Sequence, residues 1–154
     1  MSIELVSSGY QDTLAIAARF ARVLRRGDII CLAGDLGAGK TAFVKGLATG
    51  LGLREAHVHS PTFTLMNIYQ GKIPLYHFDL YRIASQDLWS LGYEEFFYGQ
   101  GITAVEWSER LENLMPKDFW SIKIVHTGQD TRQLVLAATG DSLQTRLTQW
   151  VNMK

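Results

Sequence analysis

The chain has 154 residues, of which 47% are hydrophobic, and its 15 basic residues balance 15 acidic ones. This length predicts one domain over residues 1–154, which would bury about two-thirds of its unfolded surface and needs no metal or disulfide support. Zero net charge excludes strong direct attraction to nucleic acid or to an anionic membrane, so a role in RNA biology would act through another protein.

The cysteine content and the amino-terminal residues restrict the compartment. The single cysteine, Cys31, lies in an apolar run, which predicts a buried thiol and excludes a disulfide framework. Residues 1–5 lack the basic and apolar regions of a signal peptide, and no apolar run reaches membrane-spanning length. We therefore expect a cytoplasmic protein without a structural zinc site.

The first predicted elements are a strand over 3–6 and a helix that begins at Ser8 or Asp12 and closes at 25–27. The apolar face of this helix comprises Leu14, Ala17, Ala18, Ala21 and Leu24. Residues 28–33 then form an apolar, β-favouring run, which is typical of a buried parallel strand. A helical pattern over 42–51 follows, so a strand and a helix flank a glycine-rich segment.

That segment matches the phosphate-binding loop G-x-x-x-x-G-K-[ST] at every fixed position. Its residues are Gly34, Asp35, Leu36, Gly37, Ala38, Gly39, Lys40 and Thr41. The glycines let backbone N–H groups face a polyphosphate, Lys40 can reach the outer phosphates, and Thr41 offers a hydroxyl to Mg²⁺. The helix dipole adds positive potential, whereas the Asp35 side chain should point away. The segment predicts nucleoside triphosphate binding.

The remaining elements complete an α/β fold. Residues 64–69 and 73–81 predict an antiparallel hairpin, and short helices are expected over 85–91 and 94–98. Residues 102–105 predict a buried strand, and 120–126 and 132–138 a second hairpin. Asp141 is expected to cap a last helix with Leu143, Leu147, Trp150 and Val151 on one face. These elements predict a single P-loop NTPase domain with a small mixed sheet flanked by helices.

Two carboxylates at predicted strand ends are candidates for the metal site, because Mg²⁺ needs an oxygen ligand besides Thr41. Glu106 follows the apolar run 102–105, as the acid of a Walker B strand does, although that acid is usually Asp. Asp79 ends the strand that contains 75–78. The alternative for either is a surface carboxylate paired with Arg82 or Arg110.

Residues 60–64 form a polar turn before the first hairpin. Pro61 favours an extended conformation at Ser60, which gives Thr62 a defined direction. Thr62 then resembles the switch threonine that contacts Mg²⁺ and the γ-phosphate in nucleotide switches. An ordinary polar turn anchored by Phe63 is equally compatible with the sequence.

Four motifs together carry a family resemblance. Residues 34–41, 60–65, 77–82 and 105–107 occur in the order seen in the TsaE (YjeE) family, which the chain resembles over roughly residues 8–135. The family makes threonylcarbamoyladenosine in bacterial tRNA. The resemblance implies a magnesium-dependent ATPase that is weak alone and works with the TsaD and TsaB proteins, after TsaC makes the threonylcarbamoyl donor.

The same resemblance implies roles for individual residues. Lys40, Thr41 and Glu106 would bind nucleotide and metal, and Asp79 would be catalytic. Trp107 would neighbour the site, and Thr13 and Arg132 would touch the nucleotide. Lys40 is expected in the catalytic set as well, and Thr62 is included in it through the analogy with nucleotide switches.

Several alternatives stay open at the level of sequence. Arg82 suits an internal arginine finger or a structural pair with Asp79, and His77 suits a hydrogen-bonded core position or a base. Trp107 suits core packing or adenine stacking. A GTPase is disfavoured because the chain lacks an Asn-Lys-x-Asp motif and an Asp-x-x-Gly switch. A small-molecule kinase and a nucleotide-gated binding module remain as alternatives to the ATPase.

Overall fold

The computed structural model describes residues 1–35, 37–54, 58, 61, 65–83 and 85–153. Within these ranges the strands are β1 (Ser2–Ser7), β2 (Ile29–Ala33), β3 (Met66–Tyr69), β4 (Leu75–Asp79), β5 (Ile102–Glu106), β6 (Phe119–His126) and β7 (Arg132–Thr139). The helices are α1 (Tyr10–Phe20), α2 (Lys40–Gly50), α3 (Ser85–Ser90), α4 (Glu94–Phe97) and α5 (Asp141–Asn152). Two 3-10 helices cover Ala21–Val23 and Ser108–Leu114.

The strands form one seven-stranded mixed sheet in the order β1-β7-β6-β2-β5-β4-β3. The four central strands β6, β2, β5 and β4 are parallel, and the pairs β3–β4, β6–β7 and β1–β7 are antiparallel. Both predicted hairpins and the predicted α/β class are therefore confirmed. Because the central strands run in the same direction, the residues that follow them meet at one edge of the sheet.

The central strand β2 is buried on both faces, as its continuous apolar run predicts. Ile30 and Leu32 pack in a core cluster with α1, α2 and α5, whereas Ile29 and Cys31 pack in a second cluster with α3 and α4. Burial raises the pKa of the Cys31 thiol to about 12, which keeps it protonated at neutral pH. The predicted buried thiol is confirmed.

Close packing of α1 against α2 positions the beginning of α1 beside the phosphate-binding loop. A Cβ atom on Gly46 would lie 2.5 Å from the Leu14 carbonyl oxygen, and one on Gly50 would lie 2.5 Å from that of Ala18. Larger residues at these positions would push the helices apart. The contact brings Thr13 of α1 to the same end of the sheet as the loop.

A buried ion pair lies at the opposite edge of the sheet from the loop, where β2 begins. Arg146 of α5 donates from Nη1 and Nη2 to the two carboxylate oxygens of Asp28, at 2.7 and 2.8 Å. Asp28 also accepts from the backbone N–H of Arg25 and from Trp120 Nε1. Arg146 donates further to the Val23 carbonyl. This bonded network ties α5 to the core.

The structure corrects three details of the predicted helices. α1 ends at Phe20, and a 3-10 turn rather than α-helix continues to Val23. Gly140, not Asp141, is the amino-terminal cap of α5, and Val151 is exposed. Arg146 is buried beside Leu143 and Leu147 of α5 because its charge is neutralised by Asp28. No helix in the described ranges is long and apolar enough to cross a membrane.

Candidate functional site

The phosphate-binding loop joins β2 to α2, in the strand–loop–helix context that its motif requires. Gly37 and Gly39 adopt φ angles of 80° and 115°, in the region that favours glycine. Gly34 is held close to β6, where a Cβ atom would meet the Ile124 carbonyl oxygen at 2.5 Å. Leu36 lies outside the described residues. The glycines thus allow both the tight turn and the close approach to β6.

Side chains of the carboxyl-terminal hairpin hold the loop from one side. Arg132 Nε donates to the Ala38 carbonyl at 2.9 Å, and His126 Nε2 lies 2.9 Å from the Gly37 carbonyl oxygen. The exposed Asp35 lies on this side of the loop, in a groove that also contains His126 and Lys123. It does not line the cleft that contains Lys40, Thr41 and Glu106. The contacts of Arg132 and His126 fix the carbonyls of Gly37 and Ala38 on the side away from the cleft. The role of His126 was not predicted from the sequence.

Lys40 begins α2 and is only 4% exposed. Its Nζ donates to the carbonyl oxygens of Gly34 and Asp35, at 2.5 and 2.9 Å. Burial lowers the pKa of the ammonium group below its usual range, and the carboxylates of Glu106, Glu109, Asp79 and Asp35 oppose this shift in part. The lysine is therefore a desolvated cation curled over the loop that it follows.

Trp107 forms a wall of the same cleft directly after β5. Its backbone lies in the left-handed region at φ 58° and ψ 44°, a conformation that costs a bulky residue about 1–3 kcal/mol. The indole stacks over Lys40 Nζ, 4.1 Å from the ring centroid, and its centroid lies 4.9 Å from that of Tyr81. Trp107 therefore packs against the core, and its ring also lines the cleft.

The candidate metal ligands Thr41 and Glu106 meet although 65 residues separate them. Thr41 Oγ1 donates toward both carboxylate oxygens of Glu106, at 3.1 and 3.0 Å. Glu106 ends β5, and its neighbour in the parallel register is Leu32 near the end of β2. The pairing places Glu106, whose side chain is 4% exposed, next to Thr41 in the first turn of α2. Two oxygen donors suited to Mg²⁺ thus converge.

Asp79 stands beside Glu106 because the two residues are partners in the β4–β5 register. Strand side chains alternate, so both project to the face that α2 covers. Asp79 is 4% exposed, accepts a hydrogen bond from the backbone N–H of Tyr81 at 2.9 Å, and lines the cleft. Arg82 is exposed and lines the cleft as well. A carboxylate thus lies within the same cleft as the phosphate-binding loop.

The sequence left the role of His77 open, and the structure places it in contact with the candidate metal ligand Glu106. Two residues before Asp79 on β4, it points to the same face and is fully buried. Its Nε2 atom lies 2.5 Å from Glu106 Oε2, and its Nδ1 atom 3.1 Å from the hydroxyl oxygen of Tyr69. The hydrogen-bonded position expected as one alternative is the one observed. The signal available in the sequence was a lone polar residue in an apolar strand.

Thr13 and Arg132 come together in a second, smaller pocket of about 120 Å³ on the other side of the loop. Gly39 and Ala42 form its floor, so it adjoins the start of α2. The Thr13 hydroxyl is buried and lies 2.6 Å from that of Ser7. Thr13 and Arg132 thus lie together beside the loop, and their contact with a nucleotide stays a prediction.

Some residues of the predicted site lie outside the residues that the structure describes. Thr62 and Ser60 of the polar turn are outside the described residues, as is Leu36 of the loop. The switch prediction for Thr62 therefore stays a prediction.

The described residues suit a magnesium nucleotide. The cleft has a volume of about 420 Å³ and is lined by Gly37, Gly39, Lys40, Thr41, Ala42, Asp79, Tyr81, Arg82, Glu106 and Trp107. Backbone amides at a helix amino terminus and a buried lysine suit phosphate groups. A hydroxyl and a carboxylate suit the metal, which takes its other ligands from phosphates and water. The chemistry of the donor set thus suits the phosphates of a nucleotide and a divalent metal ion, without selecting a base.

Comparisons with known proteins agree on one family. A family model described as "Threonylcarbamoyl adenosine biosynthesis protein TsaE" matches residues 7–134. A Bacillus subtilis protein named tRNA threonylcarbamoyladenosine biosynthesis protein TsaE is 43% identical over 132 residues, which are 85% of this chain and 82% of the relative. A Treponema pallidum protein of the same name is 41% identical over 133 residues, covering 86% and 98%.

A solved structure supports the same relationship. The crystal structure of Bacillus subtilis YdiB matches with a TM-score of 0.83 and 35% sequence identity. The match covers 98% of this chain and 95% of that one. The similarity thus includes the sheet edge that carries the cleft.

Proposed function

Because the chain belongs to the TsaE family of tRNA threonylcarbamoyladenosine biosynthesis proteins, we propose that it serves this pathway as a magnesium-dependent ATPase. The observation that carries the proposal is the convergence of Lys40, Thr41, Glu106 and Asp79 on one cleft at the carboxyl edge of the sheet. A phosphate-binding loop alone would support nucleotide binding. The added carboxylate pair supports hydrolysis.

Phosphoryl transfer to water requires positioning and charge neutralisation more than covalent chemistry. Lys40 would exchange its bonds to the Gly34 and Asp35 carbonyls for bonds to the outer phosphates of ATP. Thr41 and Glu106 would hold Mg²⁺, which supplies neutralising charge when it is bound. Trp107 covers one side of Lys40 and limits the access of bulk water to the ammonium group.

Asp79 is the proposed general base or water-positioning residue. Its carboxylate would accept a hydrogen bond from the attacking water, whose oxygen forms the new bond to the γ-phosphorus. The bond from that phosphorus to the bridging oxygen breaks, and ADP leaves with the electron pair. The proton of the water passes to Asp79 or to the released phosphate. Tyr81 N–H, 2.9 Å from Asp79 Oδ1, orients this carboxylate.

The proposed partners are the TsaD and TsaB proteins. The cleft opens at the end of the sheet, so groups from another chain can reach it. We propose that the isolated chain hydrolyses ATP slowly and that partners complete the site, as activators do for GTPases. Thr62 is the proposed sensor of the γ-phosphate, by analogy with nucleotide switches.

A steady-state ATPase assay tests this function. The isolated chain, the chain with TsaD or TsaB, and the chain with both are compared at saturating ATP and Mg²⁺. We expect turnover to rise by roughly tenfold or more with both partners, a small part of what an activator can supply. Thr62→Ala should reduce the stimulation more than it reduces ATP binding.

Two outcomes would contradict the proposal. Full-rate turnover without partners would exclude a partner-completed site. Tight ATP binding without single-turnover hydrolysis, with both partners present, would favour a nucleotide-gated binding module. Lys40→Ala serves as the control for contaminating ATPases, because it should lose the signal in every mixture.

A further inference from the structure

A line of hydrogen bonds begins at Glu106 and runs away from the cleft through the sheet. Glu106 Oε2 lies 2.5 Å from His77 Nε2, and His77 Nδ1 lies 3.1 Å from the Tyr69 hydroxyl oxygen. Asn67 Nδ2 donates to that oxygen at 3.2 Å. The line crosses from β5 through β4 to the edge strand β3. It therefore links the candidate metal carboxylate to residues outside the cleft.

The donors and acceptors along this line agree in direction. An ionised carboxylate only accepts, so the proton on the imidazole is assigned to Nε2 of His77. In neutral histidine the other ring nitrogen then accepts, and the Tyr69 hydroxyl can donate to it. Tyr69 in turn accepts from the Asn67 amide. Each bond in the line has one donor and one acceptor.

The geometry around His77 leaves the imidazole room to reach Glu106. His77 pairs in the β4–β5 register with Ala104, whose small side chain lies on the same face, two residues before Glu106. His77 is fully buried in a strand whose other members include Leu75 and Phe78. A polar ring in such a place costs free energy unless its nitrogens are bonded. Both of its nitrogens have partners.

We propose that His77 is a positioning residue that holds Glu106 in the orientation facing Thr41, and that Tyr69 fixes the His77 ring. The inference rests on the proposed function, because it takes Glu106 as a magnesium ligand. Without His77, the Glu106 carboxylate would keep its place at the end of β5 but lose the bond that selects its orientation. Partners of this kind typically change metal affinity by about ten- to a hundredfold when removed.

The test compares ATP affinity with and without Mg²⁺ by titration calorimetry. The readout is the dissociation constant of ATP without Mg²⁺ divided by the dissociation constant with Mg²⁺. This ratio reports the contribution of the metal to ATP affinity separately from that of the loop. We expect His77→Leu to reduce this ratio by about tenfold or more, while ATP affinity without Mg²⁺ stays the same. His77→Gln, which keeps a donor near the Nε2 position, should restore part of the ratio.

Tyr69→Phe probes the far end of the line with a smaller change. It removes one hydroxyl and keeps the ring, so the protein should fold and the ratio should fall by less than in His77→Leu. The matched control is Tyr76→Phe, the same change on β4 at a ring that packs against Phe96 in the other core cluster. The control should leave the ratio unchanged.

The outcomes separate this inference from the proposed function. A folded His77→Leu protein with the wild-type ratio overturns the inference alone, as does an equal loss of affinity with and without Mg²⁺. If His77→Leu does not fold, a Tyr69→Phe protein with the full wild-type ratio overturns it. A wild-type protein that binds no ATP would overturn the proposed function and this inference with it.

Discussion

Two groups of buried charges lie at opposite edges of the same sheet, and they differ in what they face. At the amino edge, Asp28 and Arg146 bind each other through two hydrogen bonds and pack against Trp120. At the carboxyl edge, Lys40 and Glu106 bond to their own loop and to neighbouring side chains, but both also line an open cleft.

The difference shows that buried charge alone does not indicate a functional site. The Asp28 carboxylate uses both oxygens on partners within the protein, and a structural role accounts for it. Lys40 and Glu106 carry groups that can exchange partners when a ligand enters. The amino edge should therefore govern stability, and the carboxyl edge should govern binding and turnover.

The largest effect is expected from breaking the ion pair between Asp28 and Arg146. Arg146→Met leaves the Asp28 carboxylate buried without its cation, which should lower the free energy of unfolding by about 3–5 kcal/mol. Urea unfolding measures the loss. The exposed Arg22 offers a matched control, since Arg22→Met should change stability by no more than about 0.5 kcal/mol. A loss below about 1 kcal/mol for Arg146→Met would contradict the structural role.

The next effect separates turnover from binding at the carboxyl edge. Asp79→Asn keeps the size of the side chain and removes the charge, so partner-stimulated turnover should fall by about a hundredfold. ATP affinity should survive, because the loop and Lys40 are unchanged. Single-turnover hydrolysis and calorimetry measure the two quantities. A simultaneous loss of ATP affinity would instead assign Asp79 to the metal site.

A similar or smaller effect concerns the proposed contact of Lys40 with phosphate groups. Lys40→Ala removes a charged donor and should weaken ATP binding by roughly 1.5–3 kcal/mol, which is about ten- to a hundredfold. Calorimetry measures the affinity, and urea unfolding shows whether the variant folds. Unchanged ATP affinity in the folded variant would remove Lys40 from the site.

The smallest effect follows from the lowered pKa of Lys40. Between that lowered value and about 10.5, the unfolded chain binds more protons than the folded protein, so stability should rise with pH in this window. The raised pKa of Cys31 acts in the opposite direction above about 9, but it is common to both proteins compared. Urea unfolding from pH 7 to 10.5 should show a steeper rise for the wild type than for Lys40→Met. Parallel curves would contradict the desolvated lysine.

The sequence predicts the loop and the strands well because both depend on local patterns. The P-loop spacing and the apolar run of β2 need only neighbouring residues for their interpretation. The contact between Thr41 and Glu106 follows once the strands are known to be parallel.

Contacts that depend on the alignment of neighbouring strands, or that join residues far apart in the chain, could not be predicted from the sequence. The approach of His77 to Glu106 requires the β4–β5 alignment, and the Asp28–Arg146 pair joins residues 118 positions apart. Val151 was expected on the apolar face of α5 but is exposed near the end of the helix, and helical spacing does not reveal that Arg146 of the same helix is buried through its pairing with Asp28. The left-handed backbone of Trp107 has no local sequence signature, since bulky residues seldom adopt it.

The position of β2 in the sheet has a consequence for the order in which the protein is synthesised. β2 and the loop after it leave the ribosome early, yet the neighbours of β2 are β5 and β6, which are made much later. Gly34 rests against the Ile124 carbonyl, so the loop lacks its support until β6 has emerged. Such long-range pairing forms slowly and leaves intermediates exposed. We therefore expect nascent chains that end before β6 to carry the complete motif without a nucleotide site, and ATP should protect only longer ribosome-bound chains from proteolysis.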